Sequence, residues 1–536
     1  MNTGFPLLSV LTFMPLLGAV AVMSVSKRRP EAVRTVALIS SLATLGLAIG
    51  MLVQFSGRSG GYEFVETHTW STQLGLSYHL GVDGISVFLV VLTALLFPLG
   101  FIASASVNER LKSYCTWMLI LETGILGVFS SLDLIMFFFF FEIVLIPMYM
   151  IIGGWGHGNR TKAATKFFIY TMAGSAFLLT AILTIAVLHQ RSTGTMTFEL
   201  QTLAAWAPHG LSGPMATVLF LGFFIAFAIK IPLVPLHTWL PDAHTEAPTM
   251  GSVILAGVLL KMGTYGLIRL SLGLFPKAAH ELAPLLFVLA VVGIIYGAIV
   301  ATMQKDLKRL IAYSSVAHLG FVVLGIAAFN VSGMSGAVFT MVSHGLTTGA
   351  LFLLVGFIYD RRHTREIAAF RGIWKATPVL GGLFLIAVFA SIGLPGFSGF
   401  IGEFMSLLGA FQANRIYAII GAVGVILAAV YLLWAFQRAF TGEPREEDMA
   451  MEEIRPFELL AVLPLLGLSL FMGLYPKPFI DRVEPSVCAV VATAYGHVSD
   501  HSAQHSASDP RAYSCRRTET MAESGSHTGA TQVVKP

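Results

Sequence analysis

The sequence predicts an all-α polytopic membrane protein of about 14 transmembrane helices, arranged as two inverted five-helix repeats with the seventh and twelfth helices broken. Three observations carry that prediction. The chain of 536 residues is 55% apolar and only 12% charged, with a mean hydropathy of +0.77, whereas soluble domains carry about 25% charged residues. It divides into apolar runs of the ~20 residues that a bilayer crossing needs. Its lysines and arginines gather in alternate loops.

In chain order, the 14 runs lie at 6–24, 33–55, 83–105, 114–130, 132–152, 167–189, 215–236, 250–272, 284–303, 309–329, 335–358, 379–410, 416–440 and 457–475. The first lacks a basic leader and is followed by Lys27, Arg28 and Arg29, which reads as an uncleaved helix. One set of alternate loops holds Arg34, Arg110, Lys112, Arg160, Lys162, Lys166, Lys305, Lys308, Arg309, Arg361, Arg362, Arg365, Arg371, Lys375, Arg438, Arg445 and Arg455. The opposite set holds only Arg58, Arg191, Arg269, Lys277 and Arg415 up to the last helix. Positive loops stay in the cytoplasm, so both termini are expected outside it. The segments are then 1–113 (three leading helices), 114–272 and 282–441 (the repeats), and 442–481 (a cytoplasmic loop and last helix). The remainder, 482–536, reads as a polar, disordered tail. Its histidines His497, His501, His505 and His527 read as solvated, not as metal ligands.

The seventh run reaches Lys230 and then meets Pro232 and Pro235, in AIKIPLVPLHTWLPDAHTEAP. Each proline removes an N–H donor and crowds the carbonyl four residues back, so the carbonyls of Ala228 and Ile231 are expected to lose their helical partners. In lipid, such a break is tolerated only where protein or water satisfies it. The twelfth run breaks similarly at SIGLPGFSGFIGEF, and Glu403 follows; its glycines read as a hinge or close helix contact, not a nucleotide loop.

Ionisable groups inside the runs cost about 2.5–3.5 kcal/mol each at a helix centre, so they mark a pathway or a pair. Glu142 ends the phenylalanine stretch of LIMFFFFFE, with Lys230 as its natural partner and Lys261 one run further on. Burial disfavours the ammonium and an adjacent carboxylate favours it. A Glu142–Lys230 pair that opens and closes would therefore switch the lysine between donor and acceptor. His318 and His344 stand in adjacent runs as relay candidates, because imidazole exchanges protons near neutrality. Glu142 and Lys230 are 88 residues apart and His318 and Glu403 are 85 apart, which suggests the repeat. Glu122 either joins the path or faces a neighbouring polar group. Asp83 and Asp133 sit where carboxylates favour helix starts. Asp242, His244 and Glu246 either form a cytoplasmic proton inlet or satisfy the folded loop.

Cys115, Cys488 and Cys515 have no paired or metal-ligand spacing, and there is no phosphate loop or dinucleotide fingerprint. No cofactor or metal is therefore expected in this chain. A net charge of +4, scattered over loops, gives no nucleic-acid patch.

The stretches FAIKIPLVPLHTWLPDAHTEAPTMGSVILAGVLLKMGTYGLIR, SLDLIMFFFFFEIVLIPMYMIIGGWG and QKDLKRLIAYSSVAHLGFV resemble the antiporter-like subunits of respiratory complex I. Among these the resemblance is to the subunit M type, the bacterial counterpart of mitochondrial chain 4, over roughly residues 70–475. It implies a proton path through Glu142, Lys230, Lys261, His318, His344 and Glu403. Glu403 stands where the sister L-like and N-like subunits carry lysine. It also implies neighbours of those two types in a bacterial cytoplasmic membrane, with FMN and iron–sulfur clusters in partner subunits that transfer electrons from NADH to quinone. A multisubunit Na⁺/H⁺ antiporter subunit and a structural spacer are the alternative readings.

Overall fold

The computed structural model describes residues 5–496. Among these, 12 helices are long and apolar enough to cross a membrane, and every apolar run falls on helix. The third run is the 17-residue helix Val87–Ala103. The twelfth is two helices, Pro378–Ser391 and Ser398–Ala413, separated by a break at the anticipated glycines. Helices Thr249–Leu272 and Val331–Arg362 are buried along their length, whereas Pro30–Gln54 and Arg415–Phe440 leave most of their surface to the surroundings. Lys261, His318 and His344 therefore stand on central helices, the least accessible to solvent or lipid.

Short polar side chains start many of these helices. Asp133 accepts from the amides of Ile135 and Met136, Asp306 from Arg309, Asn330 from Gly333 and Asn414 from Ile416, each satisfying a donor that the first turn leaves free. Asp83 accepts from the amides of Ile85 and Ser86. It also forms a buried ion pair with Arg269, which the sequence reading had put in an outer loop.

Two elements depart from the expected pattern. An antiparallel hairpin, Glu63–Ser71 with Leu76–Val82, precedes the third run. Its turn needs Gly75, at φ +64°, where a Cβ would stand 2.2 Å from the Met196 carbonyl oxygen. Glu66 of this hairpin accepts from the Leu8 amide at 2.7 Å and so caps the first helix from a distance. The second departure corrects the tail boundary: Lys477–Gly496 is helical. Val483, Val487, Val490, Val491 and Ala494 are buried at helical spacing, an amphipathic pattern that averaged hydropathy hides. The tail histidines lie outside the described residues.

Glycine lets the eleventh run and the second half of the twelfth meet backbone to backbone, which brings Glu403 against the central helices. A Cβ on Gly409 would stand 2.3 Å from the Cα and N of Gly333, and one on Gly336 would stand 2.5 Å from the Ser406 amide. Backbone cannot yield as a side chain can. Gly409→Ala is therefore expected to cost about 1–3 kcal/mol, read as a lowered unfolding temperature in detergent. Gly382→Ala, with no atom in the way, should leave that temperature unchanged.

A buried chain of lysine, histidine and glutamate

The break in the seventh run resolves its own polar groups. Leu233, one residue past Pro232, donates to the Ala228 carbonyl at 2.8 Å, a bond spanning five residues instead of four. The Ala228 carbonyl, one of the two expected to be orphaned, is thus occupied, and the displaced one, that of Ile229, accepts from the Trp239 indole at 2.9 Å. The twelfth run closes the same way, with Leu394 donating to Phe389 at 3.1 Å. Lys230 ends the helix before its break, whereas Glu403 belongs to the helix after its own. The two charges therefore occupy opposite sides of their breaks.

Glu142 lies at the end of helix Leu134–Ile143, where the fifth run is interrupted before Leu145–Trp155. Pro147 cannot donate to the carbonyl of Ile143, which explains the discontinuity. Lys230 is buried, and its ammonium makes no hydrogen bond among the described residues. It rests instead 4.9 Å from the Phe141 ring centroid and 5.7 Å from that of Phe167, so the rings' negative faces partly compensate the charge. Glu142 and Ser175 interact with each other, and Glu142 with Lys230, through space. One carboxylate oxygen of Glu142 and the Ser175 hydroxyl also lack a direct bond. The pair anticipated from sequence is present as neighbours, in a separated arrangement.

Lys261 is fully buried where the eighth run widens into a π turn over Leu255–Leu259. Such turns leave carbonyls off the regular ladder, and the ammonium turns back to donate to Ala256. It also lies 2.7 Å from His344 Nδ1. The His344 and His318 rings are 5.8 Å apart between centroids, and His318 Nδ1 lies 2.7 Å from Glu403 Oε1. Ser391 Oγ is 3.5 Å from the other nitrogen of His318. Gly393, at φ +74° in the break, lies against the second carboxylate oxygen of Glu403; a Cβ there would come within 3.3 Å of it. The two histidines, solitary in sequence, thus link Lys261 to Glu403. Lys230 stands beside this chain without a direct bond into it; Gly263 packs against its Cβ.

On the side of the basic loops, Asp242 pairs with Lys166 at 2.7 Å and Arg309 at 3.6 Å, so it satisfies the folded loop. His244 is fully buried, stacked on Phe352 at 4.7 Å, with neither ring nitrogen bonded among the described residues. The Glu246 carbonyl accepts from the amide of His157, which lines a cavity of about 520 Å³ together with Asn108, Glu109, Arg160, Asp360 and His363. Burial raises the Glu246 carboxyl above the ordinary range against the pull of Arg365 and Lys308. Burial, then the cations Lys308, Arg365 and Arg160, push His157 down to about 4, leaving a neutral ring at the cavity wall.

Sequence reasoning missed Phe167, Ser175 and the burial of Lys308, because all three depend on which helices become neighbours. Glu122 is fully buried with both carboxylate oxygens unbonded among the described residues, so no direct polar partner accounts for it.

Broken helices that close around buried, partly unpaired ionisable side chains define a class of ion-translocating membrane subunit. Residues 131–429 match the family described as NADH:quinone oxidoreductase/Mrp antiporter, TM, and residues 13–129 match NADH-ubiquinone oxidoreductase chain 4, amino terminus. The chain belongs to this family. It is 45% identical to NADH-quinone oxidoreductase subunit M of Rhodobacter capsulatus, over 90% of this chain and 96% of that one. It is 40% identical to NADH-ubiquinone oxidoreductase chain 4 of Arabidopsis thaliana, over 90% and 97%. A chain of respiratory complex I from Thermus thermophilus superposes with a TM-score of 0.83 at 31% identity, covering 91% of this chain and 99% of that one. A chain of the Mrp complex from Dietzia shares the fold, with a TM-score of 0.80 at 21% identity over 92% and 99%.

The contact between His318 and Glu403 has a thermodynamic signature. Glu403→Gln and His318→Gln each leave a buried partner unsatisfied, at about 1–3 kcal/mol. Because they remove one shared interaction, the double variant should lose less than the sum by about 0.5–3 kcal/mol. Thermal unfolding of the four proteins in lipid nanodiscs measures it.

Proposed function

We propose that this chain is the proton-translocating, subunit M type component of the membrane arm of an NADH:quinone oxidoreductase. The observation that carries the reading is the buried series Lys261–His344–His318–Glu403 on four helices, with a 2.7 Å contact at each end and the two imidazole rings 5.8 Å apart between them. Lys230, Glu142 and Ser175 act as the switch at its side. When Glu142 approaches, the ammonium of Lys230 is favoured. When it withdraws, as in the arrangement described above, the lysine's charge is held only by aromatic faces and its proton is easier to release. A charge change there alters the field at Lys261, whose proton then passes by way of His344 and His318 to Glu403 and leaves on the outer side. Moving one charge against 100 mV takes about 2.3 kcal/mol, within reach of making or breaking one buried charge pair.

In this reading the chain holds no redox group. FMN and iron–sulfur clusters belong to partner subunits, and the nearest neighbours are L-like and N-like subunits in a bacterial cytoplasmic membrane, with both termini outside the cytoplasm. The identities to subunit M relatives support complex I over a stand-alone Na⁺/H⁺ antiporter, since the likeness to the Mrp chain is one of fold.

Lys230→Ala, Glu142→Ala and Lys261→Ala in the assembled complex are each expected to lower proton pumping and coupled quinone reduction, by about a hundredfold for Lys261→Ala. Unimpaired pumping in all three would sink the path. Solubilising the chain in mild detergent tests its setting. Flavin and iron–sulfur subunits should accompany it, and co-purification of small membrane subunits alone would favour the antiporter.

A further inference from the structure

Lys308 has no role in the path described so far, yet it is among the most deeply buried cations of the chain. It lies in the first turn of helix Leu307–Ala327 and is only 3% exposed. Its ammonium donates at 2.5 Å to the carbonyl of Ala247, the residue that ends the short helix Trp239–Glu246. Arg365 donates to Thr245 in the same turn while its Nε holds Asp306 at 3.2 Å. The backbone amide of His157 donates to Glu246 at 2.8 Å. Three donors from three segments thus clamp the last turn of this helix.

That turn stands between two regions. On one side is the cavity lined by His157 and Asp360, to whose wall Glu246 is tied by its carbonyl bond from the His157 amide. On the other is His244, buried, unbonded at both nitrogens, and acted on by the charges of both Lys308 and Lys261. His344 in turn feels His244 as well as Lys261 and His318. A proton on His244 therefore meets one lysine ahead of it and another behind. In a low-dielectric interior, that repulsion is large for a group without a counter-charge. Lys308 also interacts with three carboxylates, Glu246, Asp306 and Asp360, the last of which lines the cavity. A lysine on a flexible four-carbon stem can exchange a carbonyl for a carboxylate without losing its charge.

We propose that Lys308 is the gate of the cytoplasmic inlet, acting through His244. With its ammonium on the Ala247 carbonyl, the gate is shut, and its charge keeps His244 from accepting a proton. When the ammonium swings to the carboxylates of Glu246, Asp306 and Asp360, a proton passes from cavity water to Glu246, from Glu246 to His244, and from His244 to a neutral Lys261. Each carrier returns to its starting form as it hands its proton on. The clamp on Ala247 would thus seal the path against back-leak while Lys261 is charged.

The inference rests on the proposed path through Lys261, and two substitutions in the assembled complex, in sealed vesicles, separate them. Lys308→Arg keeps the charge and the donation to Ala247, but its fork holds two acceptors at once and exchanges them less readily. It should assemble, stay proton-tight and move fewer protons per electron. A purely structural cap predicts wild-type pumping for Lys308→Arg, and that result would overturn the gate. Lys308→Met removes the charge and should raise passive proton leak several-fold under an imposed pH gradient, the leak disappearing when His244→Asn is added. Lys308→Gln, which can still donate to Ala247, serves if the methionine variant does not assemble. Vesicles of either neutral variant that are as tight as wild type would also overturn the gate. If Lys261→Ala itself leaves pumping intact, the path fails and not merely its gate.

Discussion

The need to satisfy every backbone polar group inside an apolar bundle governs this structure. A helix meets that need automatically, and a proline or glycine break does not. At both breaks the chain answers with the same device. The first amide after the interruption reaches back five residues, Leu233 to Ala228 and Leu394 to Phe389, which widens the helix end. The widened end at Ile229 is closed by the Trp239 indole, and the one at Gly393 opens room for the Glu403 carboxylate. The π turn beside Lys261 belongs to the same economy, since the carbonyl of Ala256 becomes the ammonium's partner.

The charges sit where this irregular backbone is. Lys230 ends the helix before one break, Glu403 reaches back to the other, and Lys261 borders a π turn. In a regular helix a buried lysine finds no free acceptor, because each carbonyl is already engaged. Interrupting the ladder frees acceptors and creates space that water can enter. The breaks are therefore a condition for keeping ionisable groups in the membrane interior. The glycine contacts of Gly333 and Gly336 with the helix carrying Glu403 then set how closely the irregular segments approach.

Much of this was legible in the sequence. The runs, the two breaks and the six ionisable residues announce themselves because each violates the composition around it: a lysine before two prolines, a glutamate after five phenylalanines, lone histidines in apolar stretches. What the sequence hid is what depends on neighbours. His318 and His344 read as isolated, and only helix packing joins one to Glu403 and the other to Lys261. Lys308 and Arg269 read as loop cations because they lie near the ends of apolar runs, yet folding buries one against Ala247 and the other against Asp83. The hairpin and the helix Lys477–Gly496 escaped because their apolar residues alternate or recur at helical spacing, which lowers the average without lowering the burial.

The contrast between the two lysine environments suggests how energy is divided along the chain. Lys261 is held by a carbonyl and an imidazole, neutral partners that accept its hydrogen bonds without fixing its charge. Lys230 has a carboxylate nearby and aromatic faces in contact. In the proposed switch its two situations, paired and separated, differ by the worth of a desolvated ion pair, which in a low-dielectric site is the larger quantity. A group poised between two such states responds to small displacements of helix Leu134–Ile143. A group held by neutral partners responds instead to the field that its neighbours create. In the proposed path, sensitivity to movement at Lys230 and sensitivity to charge at Lys261 are complementary, and the order in which they would act follows from that difference.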